Sequence, residues 1–161
     1  MDTGTLTAYR LVASRWASSA FSGEGARKYG GRWNSPGRPV VYLSESRALA
    51  ALELLVHLTT PESRAKTFAL IEVTIPADCI GQLALPSLPK TWRTSPPTSS
   101  SMEFGNSWIK EHRTLALSVP SVIIPEERNL LLNVTHPKFA NIEISEPQTF
   151  TFDQRIDARI R

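Results

Sequence analysis

Residues Arg47 to Leu58, RALAALELLVHL, form the segment that most constrains how this chain can fold. Placed at about 100° per residue, Leu49, Leu52, Leu55 and Val56 share one face, and Ala51, Leu54 and Leu58 cover much of the rest. Ser44 or Ser46 supplies an N-cap, and Thr59, Thr60 and Pro61 end the run. A helix apolar nearly all round is expected to be buried on more than one side. Its one carboxylate, Glu53, falls with Ala50 and His57 in a narrow remaining sector. That sector either faces solvent or lines a pocket. A lone carboxylate in apolar surroundings is costly unless something cationic meets it, so on the second reading Glu53 is held ready for cationic chemistry.

The rest of the chain reads as strands around this helix. Thr67–Ile75 (TFALIEVTI) is the strongest strand, β-branched and partly alternating. Thr7–Val12 and Pro39–Leu43 are shorter strands, the latter with proline at its entry. Leu115–Ile124 holds two strand-like halves split by Pro120, Asn129–Asn133 is a short apolar segment, and Asn141–Phe152 returns as a strand. Ser18–Ser35, rich in glycine, serine and charge, is expected to be a long irregular loop. Residues 86–107, with four prolines and the serine run Ser99–Ser101, are expected to be an exposed loop, followed by a short helix over Asn106–His112. The expected class is α+β, a single compact domain over 1–161 with a strand-rich core and few helices.

Charge and cysteine content exclude several functions. A net charge of +3 is mildly basic and spread along the chain, unlike the dense patch of a dedicated nucleic-acid binder. One cysteine, Cys79, rules out an internal disulfide and a multi-cysteine metal site. No apolar run reaches transmembrane length, and the N-terminal residues lack the pattern of a secretory signal, so the expected setting is cytoplasmic, away from membranes. The zinc motif HExxH, the nucleophile elbow GxSxG, the Walker A loop and GxGxxG are all absent from the sequence, and no metal is expected.

Upstream of the helix, Gly30, Gly31 and Gly37 bracket Arg32, Trp33 and Asn34. Glycines permit tight turns and close approach to a ligand, and the arginine fork suits phosphate or carboxylate. Tyr42 alternates with Val41 and Leu43 and is expected to face away from them. Taken singly, such a loop and such a tyrosine are as well explained by structure as by function.

Together, Tyr9-Arg10, GGRWNSPGRPVVYLSES (Gly30–Ser46), ALELLVHL (Ala51–Leu58) and VPSVIIPEERNLLLNVTHPKF (Val119–Phe139) resemble the RES domain family, the toxins of RES–Xre toxin–antitoxin modules. The resemblance covers nearly the whole chain and is weakest between Pro86 and Lys110. It implies an ADP-ribosyltransferase-like fold with NAD as substrate rather than resident cofactor. The implied activity is cleavage of the nicotinamide–ribose bond by hydrolysis or phosphorolysis, or transfer of ADP-ribose to a protein. The family's essential arginine, tyrosine and glutamate fall on Arg32, Tyr42 and Glu53, and its substrate-binding serine and asparagine on Ser121 and Asn133. On this reading Glu53 stabilises the cationic ribose, Arg32 holds the pyrophosphate or neighbouring ribose, Tyr42 stacks on nicotinamide, and Ser121 bonds the amide or a phosphate. The implied partner is an antitoxin with an Xre-type helix-turn-helix domain, through which alone the complex reaches DNA. A toxin dimer within a hetero-oligomer is one arrangement this allows. Two rival classes remain at this point: an RNA-cleaving toxin using His57, His112 or His136, and a non-enzymatic binding module.

Overall fold

The computed structural model describes residues 4–158. Eight strands form one mixed sheet: β1 (Thr5–Ala13), β2 (Val41–Ser44), β3 (Phe68–Pro76), β4 (Ile80–Gln82), β5 (Ala116–Pro120), β6 (Arg128–Leu132), β7 (Glu143–Ile144) and β8 (Gln148–Phe150). The order is β4-β5-β6-β2-β1-β3-β7, with β8 also pairing β3. Only β4 and β5 run parallel; the other pairs are antiparallel. The longest ladder joins β1 to β3, with Thr5 opposite Pro76 and Ala13 opposite Phe68.

Alternation along the strands builds three apolar clusters, the smallest of them (Leu11, Ala50, Phe68 and Leu70) beneath the apolar helix that carries Glu53. Val41, Leu43, Leu130 and Leu132 point to one face, where they meet Ala8, Val73, Ile75 and Leu115. Leu131, Leu117 and Val119 point to the other, where Trp33, Trp92, Trp108 and Ile109 cover them. Each fully buried leucine or valine contributes roughly 1.5–3 kcal/mol, so both faces hold the sheet. As expected, Tyr42 faces opposite to Val41 and Leu43 and packs beside the tryptophan cluster.

Two expected loops contain helices instead. Within the supposed loop Ser18–Ser35 lies a short helix, α1 (Glu24–Tyr29), capped at both ends by glycine. The supposed exposed loop 86–107 runs into a longer helix, α4 (Ser99–Glu111), with Ser101, Gly105, Trp108 and Ile109 buried. Spacing explains it: Ser101, Gly105, Trp108 and Ile109 share one face, and that face closes over the tryptophan core. The helix therefore starts inside the serine run, well before Asn106.

The apolar helix α2 (Arg47–Leu55) is capped by Ser46, whose side chain accepts from the Leu49 N–H. It ends at Leu55 rather than Leu58. Nor is it buried on several sides. It packs on β1 and β2; Leu49 and Ala50 are buried, Leu52, Leu54 and Leu55 are half-buried, and Val56 is 55% exposed. The flank carrying Glu53 borders an open cleft. A four-residue helix, α3 (Pro61–Arg64), follows, and α5 (Arg155–Ala158) ends the described chain.

Candidate active site

Glu53 is held by two donors, one on β6, which pairs with β2, and one just past the end of β5, the strand beyond it in the sheet. Its Oε1 accepts from Ser121 Oγ at 2.7 Å and from Asn129 Nδ2 at 2.7 Å. Ser121 lies just past β5, fully buried, and its Oγ also accepts from the backbone N–H of Ile123 and Ile124. Asn129 lies on β6 opposite Ser44 of β2, and Ser44 Oγ donates to its Oδ1 at 2.8 Å. That bond orients the amide so that its NH₂ meets the glutamate. Both donors engage Oε1, so Oε2 is the oxygen left for a ligand. Sequence reasoning missed Asn129; its signal was an amide opening the otherwise apolar strand NLLL.

Tyr42 is fixed just as firmly. Its hydroxyl donates to Asn34 Oδ1 at 2.6 Å and accepts from the Trp33 N–H at 3.2 Å. Asn34, fully buried, spends its NH₂ on the carbonyls of Ala26, Ser35 and Arg38 and so gathers the whole glycine loop around the phenol. The loop passes so close that a Cβ on Gly31 would stand 2.6 Å from the tyrosine oxygen. Only glycine fits there. Burial pushes the Tyr42 phenol well above its ordinary pKa, with the Trp33 N–H and the charge of Arg32 opposing. The group therefore stays protonated at neutral pH.

Arg32 points toward the segment before α4. Nη1 donates to the carbonyls of Trp92 and Thr94, both at 2.8 Å, and Nη2 donates to Ser95 Oγ at 3.2 Å. Three of its five N–H groups are thus engaged, leaving Nε and one Nη2 hydrogen. Partial burial lowers its pKa, while the nearby charge of Glu53 raises it. Arg32, Tyr42, Glu53 and Asn129 line one cleft of about 780 Å³, with Pro96, Pro97 and Met102 on its apolar wall. That volume suits a sizeable organic ligand.

Of the five residues singled out in the sequence, the structure therefore brings Arg32, Tyr42 and Glu53 to one cleft. Ser121 stands behind Glu53, its hydroxyl already given to the carboxylate. Asn133 is placed elsewhere. It is fully buried, its Nδ2 donates to Ile109 O, and its Oδ1 accepts both the N–H and the hydroxyl of Thr135. It ties α4 to the end of β6 and does not line the cleft. His57 stands exposed on the cleft rim, past the end of α2. Among the described residues no group of three or more His, Cys, Asp or Glu side chains could hold a metal ion, and no helix is long and apolar enough to cross a membrane.

Known proteins similar to this chain are found at the level of family and fold. A family model described as RES domain matches residues 7–153. "Toxin Res" of Yersinia enterocolitica is 39% identical over 149 residues, which is 92% of this chain and 97% of that protein. "Toxin Res" of Photorhabdus laumondii is 43% identical over 78% of this chain and 80% of its own length. The "Prs ADP-ribosylating toxin" of a Sphingobium species is 38% identical over 89% of this chain and 91% of its own. Among solved structures, the crystal structure of the M. tuberculosis MbcT–MbcA toxin–antitoxin complex holds a chain with the same fold. It superposes with a TM-score of 0.75 at 18% identity, covering 92% of this chain and 86% of that one.

Proposed function

The chain belongs to the RES domain family, and from that premise we propose that it is the toxin of a toxin–antitoxin pair and an enzyme that cleaves the nicotinamide–ribose bond of NAD. The observation that carries this reading is Glu53. Its carboxylate is fixed by Ser121 and Asn129 at one oxygen and opens onto the cleft with the other, beside Tyr42 and Arg32.

When the bond from C1″ to the nicotinamide nitrogen breaks, its electron pair leaves with the ring, and positive charge develops on the ribose. A carboxylate already oriented and partly desolvated stabilises that charge without reorganising at the moment of reaction. The Tyr42 ring, part of the cleft wall, offers an aromatic face to the cationic nicotinamide. Arg32 fastens the Trp92–Ser95 segment over the cleft and keeps two N–H donors and its charge for the pyrophosphate. Water then adds to C1″ and sheds a proton, giving ADP-ribose; inorganic phosphate in the same place gives ADP-ribose-1″-phosphate, and a protein side chain gives an ADP-ribosylated target. Nicotinamide departs as a neutral base, so this bond cleavage asks for no metal. The partner on this reading is a cognate antitoxin that closes the cleft, with an Xre-type helix-turn-helix domain carrying the pair to DNA.

The test is to incubate the purified protein with NAD, with and without phosphate, and with RNA in parallel, and to identify products by mass. Loss of NAD with release of nicotinamide is expected, and intact RNA. Glu53→Gln keeps the shape and removes the charge, so NAD consumption should fall about 10²–10³-fold with the melting temperature little changed. An unmutated protein that leaves NAD intact, or a Glu53→Gln variant that consumes it at the unmutated rate, refutes the proposal.

A further inference from the structure

The glycine loop carries Arg32 and Trp33 at the tip of a turn. Gly31 and Asn34 close that turn through reciprocal backbone bonds, Gly31 N–H to Asn34 O at 2.9 Å and Asn34 N–H to Gly31 O at 3.4 Å. The Asn34 side chain gathers the carbonyls of Ala26, Ser35 and Arg38 and meets Tyr42 of β2. None of those bonds reaches α4. That link belongs to the next residue, Ser35. Its backbone N–H donates to Asn106 Oδ1 at 3.0 Å, and its Oγ accepts from Asn106 Nδ2 at 2.8 Å. The Ser35 hydroxyl hydrogen is left for Met102 Sδ, 3.9 Å away. A donor and an acceptor side by side call for one group that both accepts and donates, and a side-chain amide is such a group.

The composition of α4 follows from this contact. Glycine and asparagine are both weak helix formers, yet Gly105 and Asn106 stand together in the middle of a 13-residue helix. Gly105 lets the helix backbone come against the Trp33 carbonyl, where a Cβ would stand 1.6 Å from the oxygen. Asn106 clasps Ser35, two residues further along the loop. The helix gives up intrinsic propensity at the two positions that meet the loop. Asn106 does not line the cleft, so it reaches the site only through the loop.

We propose that Asn106 is a positioning residue for NAD cleavage: by clasping Ser35 from α4 it fixes the turn that sets Arg32 in the cleft and keeps Asn34 against the Tyr42 hydroxyl. The reaction it serves rests on the function proposed above; the clasp on the loop does not. With the clasp lost, the turn is held by Arg32 on the Trp92–Ser95 segment and by the Tyr42 hydroxyl, the two groups whose own placement is at stake. A shift of about 1 Å in groups that position a substrate costs on the order of 10²-fold in rate.

The experiment compares two variants of the full chain. Asn106→Leu keeps a similar volume and removes both bonds. Asn106→Asp keeps an acceptor for the Ser35 N–H and takes the Ser35 hydroxyl as a donor, once that hydroxyl turns away from Met102. NAD kinetics are measured well below each melting temperature, and amide hydrogen exchange is followed by NMR. Asn106→Leu should raise KM for NAD about tenfold or more while kcat changes by less than about threefold, because the loop holds the substrate. Asn106→Asp should restore KM to near the unmutated value. The N–H groups of Ser35 and Trp33, bonded to Asn106 and Tyr42, should exchange faster in Asn106→Leu while the β1–β3 ladder keeps its rates. A residue that only stabilises the fold would quicken loop and sheet together and leave KM of the folded protein unmoved. An unmoved KM in Asn106→Leu, or an Asn106→Asp variant impaired as deeply, overturns the proposal. Should Asn106→Leu fail to fold, Ser35→Ala removes one of the two bonds, and unmutated KM and loop exchange in that variant overturn it equally. If the unmutated chain leaves NAD intact, the function proposed above fails, and exchange at the Trp33 N–H still decides whether Asn106 holds the loop.

Discussion

Ser121→Ala probes how Glu53 is held. The serine oxygen joins three hydrogen bonds: it donates to Glu53 Oε1 at 2.7 Å and accepts from the Ile123 and Ile124 N–H groups, both at 3.1 Å. The site is fully buried, so water does not replace the lost hydroxyl. Losing a bond to a charged acceptor costs about 1.5–3 kcal/mol. The two N–H groups belong to half-buried residues and together add roughly 1 kcal/mol. A loss of about 3 kcal/mol in a chain of this size lowers the melting temperature by about 6–12 °C. The carboxylate keeps Asn129 but can swing about that single contact, so NAD turnover should drop by about tenfold or more at temperatures where the variant is folded. Thermal unfolding by circular dichroism and nicotinamide release, measured on the same preparation, give both numbers. If the variant melts with the unmutated protein and turns over NAD equally fast, the serine does not position Glu53. Combining it with Asn129→Ala should cost less than the two separate losses together, since both donors serve one oxygen.

Other outcomes follow from the same geometry. Gly105→Ala places a Cβ 1.6 Å from the Trp33 carbonyl oxygen, so α4 must move off the glycine loop. It should destabilise by several degrees and abolish NAD cleavage, read by melting and by nicotinamide release. Asn133→Ala removes one buried and two part-buried bonds and should cost about 2–4 kcal/mol by urea unfolding while the folded fraction still cleaves NAD. Tyr42→Phe should change the alkaline stability profile. The folded phenol holds its proton above pH 10 while an unfolded tyrosine loses it near 10, so stability falls as pH rises through that value, and this part of the fall should vanish in the variant.

Much of this was legible in the chain, for identifiable reasons. The strand β3 announces itself because Val73 and Ile75 serve one sheet face while Phe68 and Leu70 serve the other, and Ser46 caps α2 through a local bond that local sequence specifies. Glu53 stands out as the lone carboxylate on an apolar helix. The burial of that helix was overestimated, since periodicity shows which residues are apolar but not that one flank borders a cleft. Helix α4 was hidden because its first turn is serine, which reads as loop; Ser101 is buried only through its tertiary setting against the tryptophan core. The roles of Asn129 and Asn133 were out of reach for a related reason. Both are amides near one strand, and only the fold decides that one meets Glu53, 76 positions away, while the other pins a helix.

The central place of β6, between β2 and β5, governs when the protein becomes dangerous. Arg32, Tyr42 and Glu53 are all translated early, yet the groups that aim the carboxylate arrive with residues 121 and 129. A domain generally folds as a unit, so this sheet completes only once its central strand has emerged. Until the last third has left the ribosome, the glutamate has no anchor. On the proposed reading, a translation product that ends before Ser121 is harmless to the cell that makes it.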